Sequence, residues 1–429
     1  MLINFEVQNF TSIKDRISLS AETGERLRKF RDSNTITENG ISLLKSLLIF
    51  GPNGSGKSNL LDGLHLMRGM VLNNTSNATE NFRYYYPFKL NSNSQKNDVS
   101  FLVEFNYVNQ TYRYEFSFNR NEITSEKLTL INSIKDMVYF DRDHQNFDVL
   151  PDNLKEVSII TRANSLLLFN AQQYNDEVSI NVFKWFKQDL IFVNDTVVSD
   201  QLIDLMKNDF IKDEFLKFLQ FADFNIVNVN IREVGIPPIP EQFKQIINSL
   251  DSNIELPTTR QELYAVHKKY NDDGDVIENE EIPLSMESRG TQKIFLIALS
   301  IIDAQVNGNG KTLLFDEFDD SLHFELSNAL IHVFNSVQNK NQFILTTHEL
   351  QLLDADLRVD QIYLMEKDFQ GVSDLKSVFD FSDARTSGRR DIAFMRRYME
   401  GRFGAMPQID VDSMLSSLDF SLKGTGENG

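Results

Sequence analysis

The run Gly51-Pro52-Asn53-Gly54-Ser55-Gly56-Lys57-Ser58 has the spacing G-x-x-x-x-G-K-[ST], and its residue types are those needed to hold a chain of phosphates. Glycines let the backbone turn tightly and approach an anion with no Cβ in the way. Successive N–H groups then form an anion nest, reinforced by the N-terminus of a following helix. Lys57 adds a point charge toward the β- and γ-phosphates, and the Ser58 hydroxyl completes the shell of a Mg²⁺ ion. The residues expected to touch the nucleotide are Asn53, Gly54, Ser55, Gly56, Lys57, Ser58 and Asn59, with ATP and Mg²⁺ as the ligands.

Far along the chain, Asp316-Glu317 follows the apolar run Thr312-Leu313-Leu314-Phe315. An aspartate at a strand end suits the metal, held directly or through water, and the adjacent glutamate can orient or deprotonate an attacking water. Thr346-Thr347-His348 ends another apolar run about thirty residues later, where His348 can reach the γ-phosphate. Lys57, Glu317 and His348 are therefore the expected catalytic residues, and Ser58 and Asp316 the expected metal ligands. Ahead of the acidic pair, Glu287-Ser288-Arg289-Gly290-Thr291-Gln292 opens a helix. Ser288 and Gly290 can there offer a hydroxyl and an N–H to a phosphate.

The elements that must position these groups follow from hydrophobic period. Residues 1–71 are expected to form the N-terminal part of an ATPase core. Leu2–Phe10 alternates and predicts a strand, Ile17–Ser20 its hairpin partner, and residues 22–40 a polar loop. Leu47–Phe50 predicts a buried strand and 59–71 a helix, the context the phosphate loop requires. Residues 72–284 are expected as an inserted β lobe and helical lobe. The lobe opens with a hairpin of 101–108 and 111–118 turning at Asn109-Gln110, extended by 127–131 and 137–140, with one face wet. Helices are predicted over 165–174, 180–189, 199–208 and 211–221, with Trp185 as a core anchor, followed by a rigid connector at Gly235–Pro240. The acidic turn Asn271–Asp275 lacks the closing glutamate spacing of a calcium loop and is expected to be a plain hairpin turn.

Residues 285–380 carry a helix over 292–302, a strand over 311–315, a helix over 321–338, and strands over 342–347 and 360–365. That alternation implies a mainly parallel sheet, the second part of the core. Residues 381–429 are expected as a basic C-terminal helix and tail. Between Arg385 and Arg402 there are six arginines and two acidic residues, which suits a solvated helix, a protein-docking face or a nucleic-acid contact.

Bulk composition narrows the classes. The chain has 429 residues, 41% apolar, 24% charged, with a net charge of −19 and no cysteine. Disulfides, thiolate metal sites and cysteine nucleophiles are excluded, and a reducing, cytoplasmic setting is expected. Met1–Glu6 shows no signal-peptide pattern, and the apolar stretch Ile294–Ile302 is too short for a membrane span. The acidity argues against a surface that coats nucleic acid, and it fits a basic protein partner.

The order of phosphate loop, long insertion, Ser-x-Gly signature, acidic pair, Asp319-Asp320-Ser321 loop and histidine resembles that of ABC-type ATPases. The signature departs from the L-S-G-G-Q form at Glu287, Arg289 and Thr291. In ABC-type proteins the signature completes the partner's site. The resemblance thus implies ATP sandwiched in a head-to-tail dimer, a homo-oligomer built from such dimers, and Ser288 and Gly290 acting in trans.

More narrowly, the chain resembles the ATP-binding family related to OLD, RecF and SMC heads. Asn9-Phe10-Thr11-Ser12-Ile13, Tyr86-Pro87-Phe88-Lys89-Leu90, Asp316–His323 and Arg397–Pro407 carry the likeness, with Phe324 where the family has proline. It implies an α/β P-loop fold, an ABC-type ATPase head with an inserted antiparallel β lobe and a helical lobe. It also implies an ATP-driven sensor or switch beside a nuclease-like effector of RloB or TOPRIM type, in bacterial anti-phage defence as in PARIS. The family's Mg²⁺-sensing glutamine has candidates in Gln172 and Gln173. The alternative reading is a RecF/SMC-like DNA repair ATPase, which predicts stimulation by DNA. A transporter subunit is disfavoured by the roughly 230 residues between the first motif and the signature, and a non-hydrolysing scaffold by the intact Glu317.

Overall fold

The computed structural model describes residues 1–24, 26–74, 77–193, 198–222, 224–236, 258–308, 310–381, 394–404 and 410–417. A seven-stranded antiparallel sheet opens with β1 (Leu2–Gln8) and β2 (Ile17–Ser20). It continues through β6 (Val99–Tyr107), β7 (Gln110–Phe118), β8 (Ile123–Ile131), β9 (Met137–Asp143) and β10 (Asn146–Val149), in the order β10-β9-β8-β7-β6-β1-β2. A two-stranded ribbon pairs β3 (Thr35–Glu38) with β4 (Ile41–Leu44).

The mainly parallel sheet runs β11-β15-β16-β5-β17-β18. Its strands are β5 (Ser46–Phe50), β11 (Leu190–Val193), β15 (Thr312–Phe315), β16 (Gln342–Thr347), β17 (Ile362–Lys367) and the antiparallel edge β18 (Ser373–Ser377). A third sheet joins β12 (Asn228–Gly235), β13 (Thr259–Tyr270) and β14 (Val276–Pro283).

Strand alternation explains the layers. Leu47 and Ile49 of β5 face one core with Leu314, Ile344 and Met365, while Leu48 and Phe50 face the other with Leu313, Phe315, Phe343 and Leu345. A strand buried on both faces reads as an unbroken apolar run, which is what Leu47–Phe50 is. The first core is closed by the helix Lys57–Leu72, through Leu60, Leu64 and Met67, and by Phe5, Val7, Phe101 and Phe116 of the antiparallel sheet. The second is closed by the helices Arg289–Val306 and Phe324–Phe334, and by Phe394, Tyr398 and Phe403 near the C-terminus. The parallel sheet is therefore held rigidly between two layers, and its strand ends are fixed points for side chains.

Trp185 is fully buried and stacks on Phe105 with ring centroids 3.9 Å apart, as a core anchor should. Such a pair adds ~1 kcal/mol beyond its buried area.

Several elements differ from the sequence expectation. Residues 22–40 contain strand β3 and the hairpin turn Asn39-Gly40, both at positive φ (49° and 78°), where a plain loop was expected. Asn-Gly at positive φ is the two-residue hairpin signal. The turn between β6 and β7 is Val108-Asn109, one residue earlier than expected. Within 72–284, expected as an inserted β lobe and helical lobe, β6–β10 extend the sheet begun by β1 and β2, and β11 joins the parallel sheet. The helix expected over 321–338 is shorter, Phe324–Phe334, because the chain turns at Ser321 (φ 64°) and His323 then caps the helix by accepting from the Glu325 amide. Residues 237–240 of the connector, and Arg385, Arg389 and Arg390, lie outside the described residues. Arg396 and Arg402 both bind Glu400, so part of the basic stretch is neutralised locally. Among the described residues no helix is long and apolar enough to cross a membrane.

Candidate nucleotide site

Parallel strands point the same way, so loops leaving their C-terminal ends share one crevice. β15, β16 and β5 are neighbours, with Phe315 beside Leu345 and Thr347 beside Phe50. Their ends deliver Asp316-Glu317, His348 and Gly51 to one place. This register explains how residues almost 300 positions apart converge.

The phosphate loop is tied down from several sides. Lys57 is buried, and its Nζ donates to the carbonyls of Gly51 (2.7 Å) and Pro52 (3.3 Å) and to His348 Nδ1 (3.0 Å). Burial lowers its pKa, while Glu317, Asp316 and Asp319 act in the opposite sense. Gly56 sits at φ 112°, and a Cβ there would fall 2.4 Å from Ser373 Oγ and 2.9 Å from Ser12 Oγ. Those two hydroxyls are themselves part of the clamp. Ser373 Oγ lies 2.6 Å from the Ser55 carbonyl and 2.7 Å from Ser12 Oγ, and Asn59 Nδ2 donates to Ser12 Oγ at 2.6 Å. Asn53, Gly54 and Ser58 are exposed at the mouth, while the buried Ser55 hydroxyl has no protein partner.

His348 Nε2 lies 2.8 Å from Glu317 Oε1. The Lys57 ammonium only donates, so with Nδ1 accepting from it the Nε2 proton points to the carboxylate; the Gly51 carbonyl, 3.3 Å from Nδ1, takes its hydrogen bond from Lys57 Nζ instead. Lys57, His348 and Glu317 thus form one continuous chain of hydrogen bonds. Asp316 accepts from the Thr346 hydroxyl, which also receives the Glu317 amide at 2.7 Å. Glu317 adopts φ 48°, a conformation that costs a residue with a Cβ of order 1 kcal/mol and persists only where its surroundings enforce it. Here the Thr346 hydroxyl enforces it, together with Lys293, whose Nζ donates to the Glu317 carbonyl at 2.7 Å. Asp62 and Asp319 are both pushed up by burial, Asp62 also by the charge of Asp316.

These residues suit a nucleotide with Mg²⁺. The nest, the buried lysine and the unpartnered Ser55 hydroxyl face the same loop, and Ser58 and Asp316 offer hard oxygen donors. Among the described residues no cluster of three or more metal-ligating side chains exists. Mg²⁺ is commonly held by one or two carboxylates plus substrate phosphates, so such a sparse set fits.

Ser288 and Gly290 stand apart from this assembly. Ser288 caps the helix Arg289–Val306, accepting from the Thr291 amide at 3.1 Å, and a Cβ on Gly290 would fall 2.7 Å from the Ser321 carbonyl. Among the described residues no hydrogen bond joins either residue to Gly51–Asn59. Gln172 and Gln173 lie on the helix Leu167–Gln173, whose first amides bind Glu126 of the antiparallel sheet. The strand flanking β15 is instead β11, ending at Val193 without a glutamine.

Two contributors were missed from the sequence. Lys293 stood in plain view as a lysine leading an apolar helix run. Ser373 belongs to no motif, and only the fold brings it to Ser12.

A family model described as "AAA domain, putative AbiEii toxin, Type IV TA system" matches residues 46–354, from β5 to beyond His348. An ATP/GTP phosphatase of Helicobacter pylori (strain ATCC 700392 / 26695) is 23% identical over 373 residues, 80% of this chain and 88% of that protein. Among solved structures, the SmcHead bound to the C-winged helix domain of ScpA is 12% identical with a TM-score of 0.44, over 87% of this chain and 97% of that one. The SMC head domain from Thermotoga maritima is 13% identical with a TM-score of 0.37, over 88% and 98%. With the family model spanning well over half its length, the chain belongs to this AAA-domain family of P-loop ATPases.

Proposed function

We propose that the chain is an ATP-driven switch that controls a partner effector in bacterial anti-phage defence. The observation that carries the reading is the hydrogen-bonded chain Lys57–His348–Glu317 at the ends of three adjacent strands. In it every Lys57 donor is already engaged within the protein. A γ-phosphate arriving at the loop competes for Lys57, which releases His348 to contact that phosphate and frees Glu317 to orient water. Occupancy is thereby registered at the general base.

Asn53 to Asn59 hold the phosphates through amides, and Ser58 and Asp316 hold the metal. Mg²⁺, when bound, neutralises charge on the β- and γ-phosphates. Glu317 takes the proton of the attacking water. Ser288 and Gly290, unattached to the loop in their own chain, complete the site of a second copy. Closure of two heads by ATP and their release on hydrolysis give the switch its two states. The toxin and Type IV TA system in the family's description support the defence role.

Complementation tests the shared site. Lys57→Ala and Ser288→Arg proteins, each inactive alone, regain turnover when mixed, because one of the two composite sites is then intact. No recovery at any ratio removes the trans assignment. Purification of the tagged Glu317→Gln chain from its native host, with and without ATP·Mg, reads the effector: a nuclease-like protein retained in one state only supports the switch. DNA-stimulated turnover without such a partner favours a repair ATPase instead.

A further inference from the structure

One edge of the parallel sheet is open. β11 pairs with β15 on one side, and among the described residues no strand covers the other. A cavity of about 770 Å³ runs along that open side, and all four residues of β11 line it. One wall is the helix Lys57–Leu72, through His65 and Arg68, and the other is the helix Arg289–Val306, through Ser300 and Asp303. An edge strand presents unpaired N–H and C=O groups, and an extended peptide can satisfy them by adding as a further strand.

The charges say what kind of peptide. Arg68, Lys187 and Lys311 line the cavity against Asp189 and Asp303, a local excess of cations on a chain of net charge −19. Asp303 accepts from Asn307 at 2.6 Å, and burial pushes the Asp189 carboxyl up, with the N-terminal ammonium and Lys311 acting in the opposite sense. Arg68 is half-buried and donates through Nε to the Phe186 carbonyl at 2.8 Å, while among the described residues no carboxylate pairs with it. A guanidinium held in place with its outer N–H groups toward a groove is a ready fork for a carboxylate.

We propose that this groove receives an extended, acidic peptide segment of a partner protein, which adds to β11 as a strand and sets a carboxylate on Arg68. The occupant would touch three elements connected to the nucleotide site. One wall starts at Lys57, the other follows Ser288 and carries Lys293, and β11 lies against the strand that leads into Asp316. Peptide binding and turnover are therefore coupled. The peptide's place as the effector's contact rests on the switch proposed above, whereas its binding does not require nucleotide.

The test pans a displayed library of short random peptides on the full chain without nucleotide, then measures labelled hits by fluorescence anisotropy. Enriched sequences are expected to alternate apolar residues with Asp or Glu. Their affinity falls by about tenfold or more with Arg68→Glu, and with Lys187→Glu at an exposed position that leaves the fold intact. N-methylation of alternate peptide amides weakens it comparably, while basal ATP turnover of both variants is unchanged. Inorganic pyrophosphate provides the small-anion arm. Absence of enriched peptides, binding indifferent to both variants or to N-methylation, or Arg68-dependent binding of pyrophosphate alone would each overturn the proposal. Loss of ATPase activity with peptide binding retained would count against the switch and leave the groove standing.

Discussion

Lys293 and Glu317 meet through the main chain: the lysine Nζ donates to the glutamate carbonyl at 2.7 Å, while the glutamate side chain is left free to face His348. The contact buries an ammonium beside a backbone in the left-handed region, at the residue proposed to activate water. It holds the carboxylate by holding the peptide behind it.

Lys293→Met is therefore expected to lower kcat with little change in KM for ATP. A charge-assisted hydrogen bond contributes ~1.5–3 kcal/mol, so the loss in kcat is about ten- to a hundredfold. Steady-state kinetics on protein whose melting temperature is checked in parallel reads this. An unchanged kcat, or a KM rise alone, would mean that Lys293 only fills the core.

Glu317→Gln should bind ATP and hydrolyse it ~10²–10⁴-fold more slowly, the usual scale for losing a general base. His348→Ala removes the middle of the same chain, so the double variant should lose much less than the product of the two single effects. Independent, multiplicative losses in single-turnover assays would refute the coupling.

The sequence made the motifs legible because each is a contiguous run with its own strand. Gly51–Ser58, Asp316-Glu317 and His348 need no knowledge of the fold to be found, and the parallel sheet then brings them together. What escaped depends on distant pairing. Ser373 meets Ser12 only because β18 starts beside the β1–β2 turn, and no local period encodes that. β11 escaped for another reason. Four apolar residues after a helix look like the helix's own end, and the strand is defined only by its pairing with β15. The expected division into an insertion and a core followed changes of hydrophobic pattern, whereas strand pairing joins β6 to β1 and β11 to β15.

Ser373→Ala removes a hydroxyl bound to the Ser55 carbonyl and to Ser12, behind the phosphate loop. Hydrogen bonds of this kind contribute ~0.5–1.5 kcal/mol net, which predicts a two- to tenfold weaker affinity for ATP and a nearly unchanged kcat. Titration of a fluorescent ATP analogue measures it, and equal affinities would show that the loop holds its shape without the clamp.

Lys45 gives a stability prediction with a definite sign. It is buried, donates to the Ser336 carbonyl, and is pulled down to about 8 by burial, with Lys340 adding to the effect. Below pH 8 it is protonated in both states, and folding bears the cost of a buried charge. Between about 8 and the ordinary lysine value of 10.5, the unfolded chain holds a proton that the native chain has released, so stability rises with pH. The urea midpoint of the wild type relative to Lys45→Met should thus increase from pH 7 to pH 10. A flat difference would show that the ammonium is effectively solvated.

Gly290 offers the sharpest test of the proposed contact between two copies. Its Cα faces the Ser321 carbonyl so closely that a Cβ would fall at 2.7 Å, and the obstruction is backbone, which cannot rotate away. Ser321 lies just past Glu317 at φ 64°, so displacing it disturbs the turn that follows the acidic pair. Overpacking of this kind costs ~1–3 kcal/mol, less than the usual stability of a folded domain but enough to move the loop proposed to present Ser288 to a second copy. Gly290→Ala is accordingly expected to keep ATP binding by the monomer while losing both ATP-dependent dimerisation and turnover. Sedimentation with and without ATP separates the outcomes: a dimer that still forms and turns over at the wild-type rate would show that this loop stays outside the composite site.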